Sequence, residues 1–292
     1  MIVCGEALID LVPAPSGFVA RPGGGPFNVA VTAARQGAQL RFVSRLSTDP
    51  FGLQLFERLQ AEKIDTSLVQ RGPQPTTLAV THLDNDGSAN YSFYFENTAD
   101  RYATPPLVPC RIAYFGTLSL ALEPAATRYL ALAQTLAKQG VFVAVDPNLR
   151  SFTETAAHRD RLLALLPYVS LLKLSSAEND FLGNPTAPIK VVTDGAAGLQ
   201  LTVSGSTSTH RAPQIQVVDT IGAGDTVMGT FLASVQNHLK QHDSTNLSEE
   251  LWQVIAQRAA TAAAYTCTQT GAEPPTTLQL AAFTKQLQLS QA

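Results

Sequence analysis

The sequence contains few of the residues that mark specialised classes of protein. Its 292 residues include three cysteines, which lie far apart and form no CxxC pair, and only 15% of the residues are charged. This cysteine pattern argues against a disulfide framework and against a zinc site. The net charge is −3 and no cluster of lysine and arginine is present, so we expect no nucleic-acid partner. An anionic ligand would need a dedicated local pocket.

Long hydrophobic runs are absent as well, although 45% of the residues are hydrophobic. No apolar stretch reaches the roughly 20 residues of a membrane-spanning helix, which argues against a membrane partner. Residues 1–6 lack the basic and long apolar regions that form a secretory signal peptide. The sequence therefore predicts a globular protein of the cytoplasm.

Segments of strand and helix length alternate from about residue 107 onward. Strands are predicted near residues 112–115, 141–145 and 169–174, with helices near residues 125–138 and 158–165. Such alternation implies βαβ units and a mostly parallel sheet that is covered by helices on both faces. The predicted fold class is therefore α/β.

Three further regions are predicted to form strands outside that alternation. Residues 2–11 read as one apolar strand that closes on Asp10. Residues 77–83 and 90–95 predict a hairpin, because the turn between them is rich in residues that tolerate positive φ. The Thr-rich and Ser-rich residues 199–210 predict antiparallel strands at one end of the main sheet.

The strongest candidate for a functional site lies in residues 217–225. A strand is predicted to deliver Gly222 and Gly224 to the start of an amphipathic helix. Backbone amides at a helix start bind anions, and glycines let a phosphate approach closely. Asp225 would lie in the first turn, where its carboxylate can accept a proton from a hydroxyl group. These features suit phosphoryl transfer, but a helix cap and a tight turn would explain the same residues without catalysis.

A second glycine-rich loop, residues 23–28, precedes another predicted helix. Its glycines would let the backbone lie against a sugar ring, and Asn28 would offer neutral donors and acceptors to a polyol. Glycines before a helix also occur for structural reasons alone. The loop is neither a Walker A motif nor a Rossmann GxGxxG motif.

Two more motifs follow predicted strands, at the edge where open α/β sheets bind ligands. Glu178 lies in the first turn of a helix and could reach a hydrated Mg²⁺ ion. Ser175 and Glu178 also match a capping box, so helix capping is an alternative role. Arg150, at the end of residues 146–150, is placed to contact phosphates.

Taken together, these motifs resemble those of the ribokinase-like (PfkB) carbohydrate kinases, and within that family they are most similar to the fructokinases. Residues 23–28 match the family's N-terminal motif, and residues 219–225 match its C-terminal motif. Because the two motifs are specific and far apart, a chance agreement is a poor explanation. Supporting matches, in the family's order, occur at residues 5–11, 99–100, 146–150, 173–175, 193–198 and 267–272.

The resemblance implies a Rossmann-like (ribokinase-like) α/β core in a single kinase domain over residues 1–292. It also implies a small β lid, formed by about residues 12–20 and 77–97. In such kinases Asp225 would take the proton of the acceptor hydroxyl group. The phosphoryl group would bind the amides of Gly222, Ala223 and Gly224, and the sugar hydroxyls would bind Asp10, Gly24, Gly25 and Asn28.

Cofactors and partners also follow from the resemblance. Glu178 would organise Mg²⁺ through water, and Asp219 marks a K⁺ site that similar enzymes often use. A homodimer formed through the lid is expected for the same reason. ATP would bind along Lys173, Thr193, Gly195 and Gly198, with Gly271 at one side of the base.

The implied activity is ATP-dependent phosphorylation of a hydroxymethyl group on a neutral sugar, with fructose as the first choice. Residues 94–97 lack the arginine that many fructokinases and keto-deoxy-gluconate kinases carry there, and an acidic sugar would need such a cation. Arg101 could substitute in part. Ribose, a nucleoside and 2-keto-3-deoxygluconate are alternative acceptors. A sugar-binding or nucleotide-binding protein that kept the fold and lost catalysis is the alternative of another class.

Overall fold

The computed structural model describes residues 1–83 and 89–289. Strands in these two ranges form two sheets, and the predicted hairpin turn at residues 84–88 lies outside them. The strands are β1 (Ile2–Cys4), β2 (Leu8–Ala14), β3 (Gly17–Gly23), β4 (Arg41–Ser47), β5 (Val69–Gly72), β6 (Leu78–Leu83), β7 (Ala89–Tyr94), β8 (Ile112–Gly116), β9 (Phe142–Asp146), β10 (Leu171–Ser175), β11 (Ile189–Thr193), β12 (Leu199–Val203) and β13 (Ser206–His210).

The larger sheet has nine strands in the order β13-β12-β11-β10-β9-β8-β1-β4-β5. All neighbours from β11 to β5 pair in parallel, whereas β12 and β13 add two antiparallel strands at one edge. The predicted mostly parallel α/β sheet, with antiparallel strands at one end, is therefore confirmed.

Helices cover both faces of this sheet. Adjacent residues of β8 show the division, because Tyr114 packs into one buried apolar cluster with α1 and α7 while Phe115 packs into another with α4 and α5. The helices are α1 (Gly25–Arg35), α2 (Pro50–Ala61), α3 (Leu118–Ala121), α4 (Ala125–Lys138), α5 (Ala156–Leu165), α6 (Ser176–Phe181), α7 (Ala223–His242), α8 (Glu249–Cys267) and α9 (Thr277–Leu289).

The smaller sheet, here called the lid, has four strands in the order β3-β2-β6-β7. Its strands lie close to the predicted lid segments, but the predicted single strand over residues 2–11 is wrong. The chain leaves the larger sheet at Gly5, which has a φ of 145°, and enters the lid as β2. A side chain at Gly5 would meet the ring of Pro26 at 2.3 Å. Because of this close contact, the chain turns at Gly5 and forms two strands where the continuous apolar pattern predicted one.

A second correction concerns the chain before α7. Residues 211–221 form no strand, and Val217 and Val218 are 57% and 59% exposed. Instead, the amides of Val218 and Asp219 both donate to the carbonyl of Cys267, at 2.8 Å and 3.3 Å. The end of α8 therefore anchors this segment. Across the described residues, no helix is both long and apolar enough to cross a membrane.

Candidate active site

Helices α1 and α7 pack against each other, and both begin at the carboxyl edge of the larger sheet. Gly222 precedes α7 with a left-handed conformation, φ 79° and ψ 2°, which glycine adopts without steric cost. The first amides of a helix lack partners within the helix and carry the positive end of its dipole. The amide of Ala223 donates a long 3.3 Å bond to Thr220, whose carbonyl a bound oxyanion could replace.

Asp225 lies in the first turn of α7 and is 6% exposed. Its carboxylate lies between two side-chain amides, because Nδ2 of Asn28 donates to Oδ2 at 2.8 Å and Nδ2 of Asn148 donates to Oδ1 at 3.4 Å. Burial raises the pKa of Asp225, while the bond from Asn28 and the charges of Lys173 and Arg150 oppose that shift. The geometry gives a fixed carboxylate whose proton affinity is above that of an exposed aspartate.

Lys173 brings a buried positive charge to the same place. Its Nζ donates to Oδ2 of Asp146 at 2.9 Å, and a side chain at Gly224 would meet that Nζ at 2.8 Å. Burial alone would lower the pKa of Lys173, but the carboxylates of Asp146 and Glu178 outweigh it and raise the pKa. A charged ammonium group therefore lies beside the start of α7.

A cavity of about 340 Å³, here called the lid cavity, separates the lid from the start of α7. Tyr91 and Phe93 of β7 form its lid side, and Asp10 of β2 contributes a carboxylate. Burial raises the pKa of Asp10 to about 7, against the opposing charge of Arg150. The predicted sugar and phosphoryl residues meet in this cavity, since its lining includes Asp10, Gly24, Gly25, Asn28, Gly222, Gly224 and Asp225.

A second cavity of about 350 Å³, here called the strand-end cavity, opens beside the ends of β10 and β11. Its lining includes Lys173, Glu178 and Thr193, the residues that are predicted to bind ATP and Mg²⁺. The two cavities are adjacent, because Asn148, Arg150, Lys173 and Gly224 line both.

The structure places the remaining predicted nucleotide residues outside the strand-end cavity. Gly195 and Gly198 lie in the connection between β11 and β12, where a side chain at Gly198 would meet the carbonyl of His210 at 2.1 Å. Gly271 lies beside α7, and its amide donates to Oδ2 of Asp219 at 2.8 Å. The other oxygen of Asp219 accepts from the amide of Ile221 at 3.0 Å. Asp219 therefore joins the segment before α7 to the loop that contains Gly271.

Glu178 makes the helix-capping contacts that its spacing indicates. Ser175 accepts from the amide of Glu178 at 3.2 Å, and Oε2 of Glu178 accepts from the amide of Ser175 at 2.6 Å. Its Oε1 accepts from the amide of Leu149 at 2.5 Å, which fixes the carboxylate at the cavity wall. In the described part of the chain, no group of three or more His, Cys, Asp or Glu could hold a metal. One anchored carboxylate suits a Mg²⁺ ion that keeps most of its water ligands and binds phosphates.

Sequence reasoning missed several residues of the lid cavity. Asn148 occurs in a motif that was selected for Arg150, and its position after β9 was the available signal. Glu6 and Thr117 also line the cavity, but Thr117 is far from every predicted motif in sequence. Tyr91 and Phe93 were assigned only to the lid, and their alternation along β7 could have indicated an inward face.

Together, the α/β sheet, the buried carboxylate at a helix start and the adjoining cavities define an enzyme of the phosphoryl-transfer class. The model for the pfkB family carbohydrate kinases matches residues 1–278, and this chain belongs to that family. The predicted family and the predicted carbohydrate kinase activity are thereby confirmed.

Curated and solved relatives agree with this membership. A fructokinase from Rhizobium leguminosarum bv. trifolii is 32% identical over 277 residues, covering 86% of this chain and 84% of that protein. The crystal structure of a fructokinase from Xylella fastidiosa with bound ATP has a TM-score of 0.87 and 25% identity, and it covers 99% and 98% of the two chains. A double mutant of a fructokinase from Vibrio cholerae O395, solved with fructose, ADP and potassium ion, has a TM-score of 0.86 and 25% identity, with 97% of each chain covered.

Proposed function

We propose that this chain transfers the γ-phosphate of ATP to the primary hydroxyl group of a neutral keto-sugar, with fructose as the first candidate. The observation that carries this proposal is the position of Asp225, held between Asn28 and Asn148 where the lid cavity meets the start of α7. A sugar in that cavity can present a hydroxyl group to a fixed carboxylate beside backbone amides that bind phosphate.

In the proposed reaction, the hydroxyl oxygen forms a bond to the γ-phosphorus and its proton passes to Asp225. The bond from that phosphorus to the bridging oxygen breaks, and ADP leaves with the electron pair. Burial raises the pKa of Asp225, which makes it a better proton acceptor than an exposed aspartate. The amides of Gly222, Ala223 and Gly224, with the ammonium group of Lys173, stabilise the charge on the transferring group.

Replacement of Asp225 by Asn tests the proposed base. Asp225→Asn keeps the size of the side chain but cannot take the proton, so we expect kcat to fall by about 10²-fold to 10⁴-fold while fructose binding changes little. Asp243→Asn is a matched control, because Asp243 caps the other end of α7 and its side chain is 92% exposed. Near-normal turnover by Asp225→Asn would contradict the base assignment.

The charges around the lid cavity favour a neutral sugar. Asp10 and Asp225 contribute carboxylates, and the guanidinium group of Arg150 is already engaged with Asn148 at 2.6 Å and 3.1 Å. Arg101, which the sequence offered as a substitute cation, instead donates to the carbonyl of Glu123 at 2.9 Å and pairs with Glu96 at 3.2 Å. Neither Arg150 nor Arg101 is therefore free to pair with the carboxylate of an acidic sugar.

A panel of acceptors with MgATP and detection of ADP tests the substrate. We expect fructose to give the highest kcat/KM among fructose, ribose, a nucleoside and 2-keto-3-deoxygluconate. A higher value for another acceptor would replace fructose within the same chemistry. If sugars and ATP bind but no ADP forms with any metal ion, the chain is a catalytically silent binding protein.

We assign the nucleotide to the strand-end cavity along Lys173 and Thr193, with the β11 to β12 connection at Gly195 and Gly198 beside it. Gly271 borders the base in this proposal. Glu178 would hold Mg²⁺ through water, and the ion would neutralise phosphate charge during transfer. Asp219 would hold K⁺ together with nearby carbonyl groups. Turnover with Mg²⁺, measured with and without K⁺, tests both ions.

We also propose that residues 1–292 act as one kinase domain in the cytoplasm and associate as a homodimer through the lid. Two observations support the dimer, since Phe18 and Tyr94 of the lid are 56% and 61% exposed. All three cysteines are free thiols, which suits a reducing compartment.

A further inference from the structure

Glu6 is a buried carboxylic acid at the wall of the lid cavity, between β1 and β2. It is 1% exposed, and its carboxylate accepts bonds from three donors on one short segment. Thr117 donates through Oγ1 to Oε1 of Glu6, while Ser119 donates to Oε2 through Oγ and through its amide, the latter at 3.0 Å. Among the residues described, no lysine or arginine forms a salt bridge with Glu6. The cost of burying this carboxyl group is therefore met by the segment at residues 117–119.

Thr117 has a backbone conformation that its residue type disfavours. Its φ is 58° and its ψ is −142°, although a β-branched residue rarely adopts positive φ. The amide of Thr117 donates to the carbonyl of Asp146 at 3.1 Å, which fixes one side of the residue. The bond from Oγ1 to Glu6 fixes the other side. Residues in such conformations persist where surrounding contacts over-determine them, and they are concentrated at functional sites.

The position of Thr117 affects the start of α1. A side chain at Gly25 would meet the Cγ2 methyl group of Thr117 at 2.3 Å and Oδ1 of Asp225 at 3.4 Å. The methyl group of Thr117 therefore packs against Gly25, and Gly25 lies between that methyl group and Asp225, the proposed base. Leu118, the next residue, also lines the lid cavity. A change of φ at Thr117 would move the wall on which the sugar lies.

We propose that Glu6 is a positioning residue for the sugar site, because it holds Thr117 in this conformation and so fixes the cavity wall beside Gly25. This inference rests on the proposed sugar kinase activity. Glu6 contacts neither phosphate nor the reacting hydroxyl group in this scheme. Its effect should therefore appear in the KM for the sugar and leave the KM for ATP unchanged.

Four variants test the inference: Glu6→Ala, Glu6→Gln, Thr117→Gly, and Glu6→Ala combined with Thr117→Gly. We expect Glu6→Ala to raise the KM for fructose by about tenfold, the effect of losing buried hydrogen bonds. Glu6→Gln should restore most of the affinity, because its amide can still accept from Ser119 and can donate to Thr117 Oγ1. In the Thr117→Gly background, Glu6→Ala should change the KM much less, since glycine adopts positive φ freely.

The two changes are thus expected to be non-additive. Equal increases in KM in both backgrounds, or a lower Tm with no change in KM, would overturn the inference. If the wild-type chain phosphorylates no sugar, the proposed function fails by itself. In that case, thermal unfolding of the same variants tests whether Glu6 holds Thr117 in its conformation. Non-additive losses of Tm in the double variant would support this role of Glu6, and additive losses would contradict it.

Discussion

The charge of the lid cavity depends on the carboxyl groups of Asp10, Glu6 and Asp225, which line it. Asp10 is the clearest case, because burial raises its pKa to about 7 while Arg150 opposes the shift and the carboxylates of Asp225 and Asp219 add to it. Burial also raises the pKa of Glu6 to about 7 and raises that of Asp225. Asp10 and Glu6 therefore lose their charge as the pH falls through about 7, and Asp225 loses its charge at a higher pH than an exposed aspartate does. Acid should therefore remove the hydrogen-bond acceptors on which the proposed sugar binding depends.

The pH dependence of kcat/KM for fructose gives a test at Asp10. The ionised form accepts sugar hydroxyls, so kcat/KM should fall as the pH decreases through about 7. Asp10→Asn removes one of the titrating groups, and the acid side of its log kcat/KM profile should lose about one unit of slope. Asp65→Asn is a suitable control, because Asp65 lies near β4 and away from the cavity. Profiles of identical shape for Asp10→Asn and the wild type would contradict the prediction.

At the scale of elements, helix ends tie the two sheets together. Asp49 precedes α2 and accepts from the amide of Gly52 at 2.7 Å. The same carboxylate accepts from the amide of Thr76 at 2.8 Å and from its Oγ1 at 2.7 Å, just before β6 of the lid. One side chain therefore caps a helix of the core and anchors the entry to the lid.

Replacing this cap should cost more than replacing a simple one. Asp49→Ala removes three accepted bonds, so we expect the free energy of unfolding to fall by about 2 kcal/mol. Ser248→Ala is the matched comparison, since Ser248 caps α8 through a single 3.3 Å bond from Leu251, and a loss of about 0.5–1 kcal/mol is expected. Urea unfolding of both variants measures the difference. Equal losses would show that the link to Thr76 contributes nothing.

The sequence predicted elements well where periodicity and end signals agree. The helix at Ala125–Lys138 has the predicted bounds, because its apolar face ends just before Gly140, which has a positive φ. Two errors came from long-range contacts. The packing of Pro26 on Gly5 divides the first apolar run, and the end of α8 anchors the exposed valines before α7. No strand or helix was predicted over residues 38–72, where β4, α2 and β5 lie.

The sequence motifs predicted the residues that meet in the lid cavity, but they did not predict Thr117, which supports the cavity wall. Asp225, Asn28 and Asp10 were found because glycine-rich loops and strand ends mark ligand-binding edges. Thr117 carries no such mark, and its role depends on a φ value and on a partner more than a hundred residues away, which the sequence does not display. The roles of Asp225, Asn28 and Asp10 stay predictions, which the kinetic variants test.

Over the whole molecule, the lid is attached to the core by aromatic contacts at the cavity rim. Phe152 of the core lies 5.3 Å from Phe93 and stacks at 5.2 Å on Phe95. Strand alternation places Tyr94, between these two residues, on the opposite face of the lid. By the strand register, Phe18 lies opposite Pro13 and Tyr94 lies opposite Leu78. Because β2 and β6 pair Ile9 with Leu78, both exposed rings belong to the outer face of the lid, opposite Tyr91 and Phe93. The same sheet thus has one face toward the proposed sugar site and an opposite, apolar face, which packs on the core at Ile9 and is exposed at Phe18 and Tyr94.

Sedimentation velocity over a range of protein concentrations tests the proposed dimer. Phe18→Ser removes an aromatic side chain from the outer face of the lid. We expect the dissociation constant of the dimer to increase by about tenfold or more. Val254→Ser is the control, because Val254 is 63% exposed on α8 and should leave the sedimentation coefficient unchanged. If the dimer orders the lid, Phe18→Ser should also raise the KM for fructose, since Tyr91 and Phe93 belong to the same sheet. A wild-type chain that stays monomeric at every concentration would exclude the dimer. A Phe18→Ser variant that sediments as the wild type does would show that the interface lies elsewhere.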